Sequence, residues 1–541
     1  MENEVEKCDS CHHQHSCSSC EREQSDSCHP QHSCSSCELC NQADPEIIRG
    51  VSLHEALCSW GKHWKAENGG MPASDAANYE LSRRVEAYDS FLSHDWGSGR
   101  WLKLLSLLLV FNSRAAFYAC LFVSIVVGFL RGFGALPDAT WTVVFGHATF
   151  FFVFAFWQRI RLLVCRPRMV FFDKLCVAQH DEALKQRGIL SIAAFLLSSR
   201  SLVVLLTPQY FSRLWCTFEI ATFMKDPERR KQIRFMPLKT SLIFLIYSAS
   251  WHLLVCGYAI FRQIRPEVYG AGAIVTGMMF GLWVVLGPVV LYLEMGMIGD
   301  IEKLPVQLRN FRVQEADCFC CTHGHRHPQT GEEIPCDREL VYKSLQKWYG
   351  EDYLETFNGR VRTYLPRILV YGTGGFLLPI RYAVYTVLAS NLPYLGDPIS
   401  ASFTAASELS GMALLAWVLR QLIEWGLVGL CSLLSVRLSL PLCRMGLRLQ
   451  MTRCTTAIIL VPAVFVIIVL VWAPVRIVLR WTPQDTIWPT ALCALWLAAA
   501  ICLFFPLRKK PKPALETGKA AAPQEAAPKV PMFDDRDSFE V

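Results

Sequence analysis

Long apolar stretches are the feature that most limits what this chain can fold into. A helix needs about 17–25 mostly apolar residues to cross a hydrocarbon core about 30 Å thick. Of the 541 residues, 52% are hydrophobic and only 18% are charged. We place eight spans, near residues 115–134, 140–157, 241–262, 271–293, 368–391, 409–434, 457–479 and 487–507. The sequence therefore predicts an α-helical multi-pass membrane protein embedded in a lipid bilayer.

The positions of lysine and arginine predict the orientation of these spans. Connections that stay in the cytosol carry an excess of basic residues close to the membrane. Basic clusters follow the second and eighth spans, precede the third, and fill the connection 435–456, whereas 392–408 has none. This pattern predicts that both termini are cytosolic. The net charge of +6 is small for this length and sits beside the spans, so we predict no nucleic-acid partner.

The N-terminal segment 1–44 is polar and rich in Cys and His. Its cysteines form CxxC pairs, and in a reducing compartment such pairs favour metal ligation over disulfides. Two thiolates at that spacing can hold one edge of a tetrahedral zinc site. The candidate ligands are Cys8, Cys11, Cys17, Cys20, Cys34 and Cys37. The alternative is a disordered tail that binds metal loosely, because few apolar residues are present to form a core.

Between the second and third spans, the pattern changes to alternating strands and helices. Short apolar strands are predicted at Met169–Asp173, Leu202–Leu206 and Ile233–Leu238. Helical spacing lies over Ile189–Ser199 and over Arg213–Met224. Ser212 is the expected cap of the second helix. This alternation predicts a parallel sheet with right-handed crossovers.

Three segments of this region resemble motifs of Toll/interleukin-receptor (TIR) domains. Tyr88-Asp-Ser-Phe-Leu-Ser-His94 is similar to the opening strand of that family. Ser199-Arg-Ser-Leu-Val-Val-Leu-Leu-Thr-Pro-Gln-Tyr210 resembles its third strand and exit loop. Ser212-Arg-Leu-Trp215-Cys216-Thr-Phe-Glu219-Ile220 is similar to its Ser-x-Trp-Cys-x-x-Glu-Leu signature, with one extra residue before Trp215. The resemblance implies a TIR-like, flavodoxin-like α/β domain on the cytosolic side.

The resemblance also implies candidate functional residues. In TIR domains that hydrolyse nicotinamide dinucleotides, the glutamate of this signature is catalytic, and it corresponds to Glu219 here. A carboxylate can stabilise the oxocarbenium character that develops as the glycosidic bond breaks. Asp173, Lys174 and Arg213 are candidates to bind substrate in the same cleft, and loop 174–188 corresponds to the family's self-association loop. The alternative is that Glu219 packs its helix against the sheet, because many TIR domains are adaptors without activity.

The resemblance departs from an ordinary TIR domain because membrane hairpins interrupt it. The last strand and helix of the domain are expected at Phe311–Glu315 and at Arg338–Tyr349. The predicted order along the chain is a tail at 1–44, the first strand within 85–96, a hairpin at 115–157, the α/β core at 166–239, a hairpin at 241–293, the segment 306–350, a four-span bundle at 368–507 and a disordered tail at 508–541.

A second group of metal-ligand residues lies between the fourth and fifth spans. Thiols and imidazoles clustered within twenty residues suit structural zinc better than an enzyme nucleophile. The candidates are Cys318, Cys320, Cys321, His323, His325, His327 and Cys336. Spacing does not show which four of them ligate, and free structural thiols are the alternative.

Charged residues also fall within the predicted spans. Arg381 lies near the centre of the fifth span, and Arg420 and Glu424 lie near the centre of the sixth, one helical turn apart. His252 lies at similar depth in the third span. Charges at such depth mark a transport pathway, a relay or a structural pair. We favour an ion-pair staple between helices.

Together these observations lead to three functional hypotheses. The first is a membrane-anchored signalling protein that acts through homotypic or partner association of its TIR-like domain. The second is hydrolysis of NAD by Glu219, and the third is a transporter or channel that the TIR-like part regulates. The C-terminal Ser538–Val541 also has the pattern that PDZ-type partners bind as an added strand.

Overall fold

Four short strands from separated parts of the chain form one parallel sheet. The computed structural model describes residues 46–65, 76–224, 229–264, 271–326, 331–372, 379–409, 411–449, 451–483 and 486–505. Its strands are β1 (Arg49–Ser52), β2 (Arg83–Arg84), β3 (Ser90–His94), β4 (Met169–Phe171), β5 (Leu202–Leu206) and β6 (Ile233–Pro237). Their order across the sheet is β2-β1-β4-β3-β5-β6.

The four strands β3 to β6 pair in parallel, whereas β1 is antiparallel to both β2 and β4. In chain order these parallel strands are arranged 2-1-3-4, as in a doubly wound sheet. In such a sheet the direction of winding changes between the first and third strands, here β3 and β5. The strands β3 and β5 are buried along their whole length because helices cover both faces.

The helices are α1 (Leu53–Gly61), α2 (Ala76–Glu80), α3 (Arg100–Gly132), α4 (Thr140–Val164), α5 (Asp173–Cys176), α6 (Glu182–Leu190), α7 (Ile192–Leu197), α8 (Leu214–Phe223), α9 (Leu238–Ile264), α10 (Ala271–Arg309), α11 (Phe319–Thr322), α12 (Asp337–Tyr349), α13 (Tyr353–Gly372), α14 (Ile380–Thr386), α15 (Gly396–Glu408), α16 (Gly411–Leu447), α17 (Arg453–Trp481) and α18 (Ile487–Phe504). Among the described residues, seven helices are long and apolar enough to cross a membrane: α3, α4, α9, α10, α16, α17 and α18. These helices are consistent with a multi-pass integral membrane protein.

The fifth predicted span, 368–391, does not form one continuous helix. Helix α13 ends at Gly372, residues 373–378 lie outside the described part, and α14 covers only Ile380–Thr386. Pro379 immediately precedes α14 and cannot donate the hydrogen bond that would continue a helix. A hydropathy window averages over such a break, so the prediction of a single helix there was wrong.

Two further predictions in the α/β region need correction. Phe311–Glu315 is not a strand, because Val313–Glu315 forms a 3₁₀ turn whose Val313 N–H donates to Asn358 Oδ1 at 2.9 Å. Ser212 does not cap α8, because its hydroxyl donates to the Gln209 carbonyl at 2.8 Å. The predicted helix near 338–349 is present as α12.

The sheet continues into the membrane helices without a linker. Strand β6 ends at Pro237 and α9 begins at Leu238. Helix α3 starts at Arg100, only six residues after β3 ends at His94, and Ser106 Oγ donates to Ser241 Oγ of α9 at 3.0 Å. The first turns of α3 therefore belong to the α/β domain, which is why this helix begins fifteen residues before the predicted span at 115.

Candidate functional site

The carboxyl end of β3 brings together most of the polar groups predicted for the α/β domain. Ser93 and Asp95 are buried, and both come from the segment that ends this strand. Carboxyl ends of parallel strands meet at one edge of a sheet, so residues that follow β3 and β4 become neighbours there. Trp96 Nε1 donates to Asp173 Oδ2 at 3.0 Å across these two connections.

Glu219 accepts a hydrogen bond from one buried hydroxyl group. Ser93 Oγ donates to Glu219 Oε2, and the same hydroxyl contacts the phenol oxygen of Tyr210. Burial raises the pKa of Glu219 to about 8, the nearby Asp173 adds to the rise, and the Ser93 hydrogen bond opposes it. A carboxyl group with this pKa carries a proton at neutral pH for most of the time. It can therefore donate a proton as well as accept one.

The other three candidates for this cleft lie around the loop that follows β3. Burial raises the pKa of Asp173 to about 6, against the opposing effect of hydrogen bonds from its neighbours. Lys174 is buried, and its Nζ lies 5.9 Å from the centre of the Trp96 ring. Arg213 Nε lies 3.2 Å from Asp95 Oδ1. The structure thus places all four predicted residues around the carboxyl end of β3. Trp96 contacts Asp173 and Lys174, and Asp95 pairs with Arg213.

Several residues of this group were missed by the sequence analysis. His94 is buried between aromatic rings, 4.9 Å from the Trp64 ring and 4.6 Å from the Trp96 ring between centroids. Burial lowers its pKa well below the ordinary value. Lys103 is fully buried beneath Trp96, with Nζ 5.4 Å from the ring centre. The polar residues directly after the first strand were the available signal, since that position marks the edge of a parallel sheet where ligands bind.

The raised pKa of Glu219 makes stability depend on pH in a defined direction. An unfolded glutamate has a pKa of about 4.3. The folded state therefore prefers the protonated form, and stability is fully present below about pH 4.3 and falls as pH rises through about 8.

We expect Glu219→Gln, which is neutral at every pH, to lose less stability than the parent between pH 5 and pH 9. The difference should be on the order of 1–4 kcal/mol. Thermal unfolding of the detergent-solubilised protein at pH 5, 7 and 9 measures it. Parallel pH profiles for parent and variant would show that this carboxyl titrates normally.

Four of the predicted metal ligands form a compact cluster. One ligand atom each from Cys320, Cys321, His325 and Cys336 lies within 4.8 Å of all the others. Cys321 Sγ lies 3.9 Å from Cys320 Sγ, 3.8 Å from Cys336 Sγ and 3.7 Å from His325 Nε2. Tetrahedral zinc with Zn–S bonds of about 2.3 Å and Zn–N bonds of about 2.0 Å requires S···S and S···N separations of roughly 3.8 and 3.6 Å. The three separations from Cys321 Sγ therefore match those around one tetrahedral metal ion, and the four donors together could hold such an ion.

Backbone turns bring these donors together. The His325 N–H donates to the Cys320 carbonyl at 2.8 Å, and the Ile334 N–H donates to the His325 carbonyl at 2.8 Å. Gly324 and Gly331 have positive φ angles, which glycine adopts without strain. The chain therefore doubles back between His325 and Cys336, as their separation in sequence requires.

The cluster is joined to α8, the helix that carries Glu219. The Asp337 N–H donates to Cys320 Sγ at 3.3 Å, and Trp215 Nε1 donates to Asp337 Oδ2 at 3.1 Å. The Leu214 N–H, at the start of α8, donates to the Asp317 carbonyl at 3.1 Å. A metal ion here would hold the first turn of α8 against α12.

The remaining predicted ligands have other positions. Cys318 Sγ lies 3.1 Å from Cys320 Sγ in an overlapping group with Asp337. His323 Nδ1 lies 2.9 Å from the Phe319 carbonyl oxygen, in α11, the helix that ends just before His323. His323 is not part of either group. His327 and the N-terminal cysteines lie outside the described residues, as do both tails and the C-terminal Ser538–Val541.

The predicted intramembrane charges differ in their surroundings. Arg420 is buried and donates to the Thr482 carbonyl at 3.1 Å and to that of Leu479, so it caps the carboxyl end of α17. Glu424 lies 3.7 Å from Arg420 and 3.5 Å from Arg476 of α17. This arrangement agrees with the ion-pair staple between helices.

Three further polar residues belong to this part of the chain. Arg381 is exposed at the start of α14 and contacts its neighbour Tyr382, so the prediction that it lies at the centre of a span was wrong. His252 contacts His147 of α4 through their Nδ1 atoms. Glu294 of α10 is fully buried and accepts from Ser439 Oγ at 2.9 Å and Tyr247 Oη at 3.3 Å. The sequence analysis missed it because one acid in a long apolar run does not show which side of the helix it faces.

Comparison with known proteins gives no relative. No family model matches the chain, and neither the curated proteins nor the solved structures contain a match.

Proposed function

We propose that this protein is a membrane-anchored, TIR-like signalling protein whose cytosolic α/β domain associates with a second copy or with a partner domain. The observation that carries the proposal is the direct continuation of the sheet into the membrane helices. Strand β6 runs into α9 at Pro237–Leu238, and α3 packs its first turns in the domain before it enters its apolar part. The α/β domain is therefore joined directly to the membrane helices α3 and α9, so a structural change at its surface can reach them.

The surface for association is α6 with the segment before it. Asp181 caps this helix by accepting from the Leu184 N–H at 3.0 Å. Leu190, at its end, is 56% exposed. The helix stands in the segment that corresponds to the self-association loop of TIR domains, and an exposed apolar side chain beside polar ones suits a protein interface.

We expect Leu190→Glu to reduce association several-fold, because a charge placed in an interface core must be desolvated without a partner. Chemical cross-linking in native membranes measures the dimeric fraction. Val306→Glu is the matched control, since Val306 is 49% exposed on α10, which is not part of this surface. An unchanged dimeric fraction in Leu190→Glu, or a parent that stays monomeric, would contradict the association role.

A second candidate function is cleavage of the nicotinamide glycosidic bond of NAD by Glu219. The observation that favours it is the pair of carboxyl groups with raised pKa values, Glu219 at about 8 and Asp173 at about 6. Two such groups with different pKa values suit acid and base roles at neutral pH.

We expect nicotinamide release from NAD by the purified protein to fall at least about a hundredfold in Glu219→Ala, the scale of a lost general acid or base. Glu302→Ala, an exposed acid on α10, is the control and should keep the parent's rate. No release by folded parent protein would exclude this activity and leave association as the function.

We also propose that the metal of the Cys320 cluster is zinc and that its role is structural. The donor set of three thiols and one imidazole is that of closed zinc sites, which leave no coordination position open for a substrate.

A further inference from the structure

A cavity of about 290 Å³ lies between α1 of the α/β domain and the two membrane helices α3 and α4. Ser59 and Trp60 of α1 line one side of it, Leu108 of α3 another, and Phe156 and Arg159 of α4 a third. The cavity shares no lining residue with the group around Glu219 or with the Cys320 cluster. It is therefore a separate feature, placed where the α/β domain meets the membrane helices.

The height of the cavity follows from the length of α4. A helix crosses a hydrocarbon core about 30 Å thick in about 20 residues. Counted from Thr140, where α4 begins, that length ends close to Arg159. Phe152 and Phe156, about two turns and one turn before Arg159, are exposed, as side chains that face lipid are. Arg159 and the cavity thus lie at the height of the phospholipid headgroups, on the side of the α/β domain.

The end of α1 places an aromatic side chain at this height. Trp60 is 53% exposed, and its ring meets the Phe156 ring edge-on at 6.0 Å between centroids. Ser59 and Trp60 reach this position through positive φ angles of 47° and 54°. Such angles are costly for residues other than glycine, and strain of this kind clusters at functional sites. Tryptophan is also enriched at the headgroup level of membranes, so this turn presents α1 to the membrane surface.

The charge at the cavity is positive. Arg159 lines the cavity and is exposed, and no acidic residue lines it. Within the described part of the chain, the Arg159 side chain has neither an ion pair nor a hydrogen bond. Glu55 of α1 is not a lining residue, and Lys62, directly after α1, offsets its charge near Cys58. The cavity therefore suits an anionic group that can pair with a guanidinium.

Hydrogen bonds between α3 and α4 fix the position of Arg159. Asn112 Nδ2 donates to the Phe154 carbonyl at 2.9 Å, and Gln158 Nε2 donates to Asn112 Oδ1 at 2.6 Å. Asn112 and Gln158 are both buried and both belong to the cavity wall. Gln158 directly precedes Arg159, so this pair holds α4 at a fixed rotation against α3 with Arg159 at the cavity.

We propose that this cavity binds the headgroup of an anionic phospholipid from the leaflet next to the α/β domain. The phosphate pairs with Arg159, because a guanidinium binds phosphate oxygens through two parallel hydrogen bonds. Trp60 and Phe156 contact the glycerol part and the start of the acyl chains. The bound lipid would join α1 of the α/β domain to α3 and α4. The lipid composition of the membrane would then act on the domain, which goes beyond the association proposed above.

The test is native mass spectrometry of the full-length protein, titrated in detergent with phosphatidylserine, phosphatidylcholine and glycerol 3-phosphate. The parent should bind one phosphatidylserine more tightly than phosphatidylcholine and far more tightly than glycerol 3-phosphate. Arg159→Gln should weaken the binding of phosphatidylserine about fivefold, the value of one basic residue near a membrane surface. Arg114→Gln is the matched control and should bind like the parent, since Arg114 is exposed on α3 two residues after Asn112 but does not line the cavity.

Ala155→Phe tests the cavity itself, because a larger side chain at this lining position fills the space without changing the charge. It should reduce the binding of phosphatidylserine to that of phosphatidylcholine. Thermal unfolding of each variant without added lipid shows that it is folded, and the cross-linking of Leu190→Glu tests the association role separately.

Three results would overturn the proposal. The first is equal binding of the two lipids by the parent, and the second is an equal loss in Arg159→Gln and Arg114→Gln, which would reflect the surface charge alone. The third is binding of glycerol 3-phosphate as tight as that of phosphatidylserine, which would indicate a soluble anion instead of a lipid. Folded Ala155→Phe that binds phosphatidylserine as the parent does would place the lipid outside this cavity and contradict the proposal as well.

Discussion

Replacing Cys336 by serine is expected to remove about one metal ion per chain. Cys336 supplies one of the four donors of the Cys320 cluster, with Sγ 3.8 Å from Cys321 Sγ. A hydroxyl group is a poor substitute for a thiolate at a soft-ligand site. Even the loss of outer-shell partners weakens metal sites about 10–100-fold, so the loss of a direct ligand should exceed that. The measurement is metal content by mass spectrometry of protein purified under reducing conditions.

Cys454→Ser is the matched control for this prediction. Cys454 is exposed at the start of α17 and belongs to neither group of clustered donors. Both variants keep the N-terminal cysteines, so any metal bound by the tail cancels in the comparison. Equal metal content in the two variants would mean that the four donors are free thiols and an imidazole. If metal is lost, protease sensitivity near Trp215 should also rise, because Asp337 and Trp215 join the cluster to α8.

Phe171→Ala is expected to destabilise the α/β domain by about 3–5 kcal/mol, the usual loss for a large aromatic side chain in a well-packed core. Phe171 is 1% exposed, and its ring stacks on Phe91 at 4.5 Å and on Phe195 at 4.9 Å between centroids. These three rings come from β4, β3 and α7. The cavity left by the substitution would therefore open where separate segments of the chain meet.

Limited proteolysis of the detergent-solubilised protein at increasing urea concentrations measures this loss of stability. Phe122→Ala is the control, since Phe122 is 68% exposed on α3 and leaves no cavity when truncated. Equal resistance of both variants would show that the rings of β3 and β4 do not share a core.

Local patterns were sufficient to predict the strands of the parallel core. Leu202–Leu206 is apolar and β-branched between polar boundaries, and the structure has β5 over those same residues. By contrast, β1 and β2 have only four and two residues, too short for an alternation to be visible. Hydropathy alone predicts one span over 368–391, because averaging ignores that Pro379 lacks the hydrogen-bond donor that would continue a helix.

The site was predictable only in part, because its contacts are made across long separations in the chain. Glu219 could be singled out from its motif, but its partner Ser93 lies 126 residues earlier. The Cys/His segment could be identified from composition, whereas the choice of His325 over His323 depends on the turn at Gly324.

A disulfide between two strands tests most directly whether segments separated by membrane helices assemble into one parallel sheet. Ser90 Oγ of β3 lies 2.9 Å from Ser201 Oγ, directly before β5, and two membrane helices separate these residues in the chain. The double variant Ser90→Cys and Ser201→Cys should form a disulfide under mild oxidation, detected as one linked peptide pair by mass spectrometry. A pair of cysteines at Ser90 and Ser98 would serve as a control that the chemistry proceeds only where the geometry allows it. Free thiols at both positions in folded, oxidised protein would contradict the assembly of this sheet.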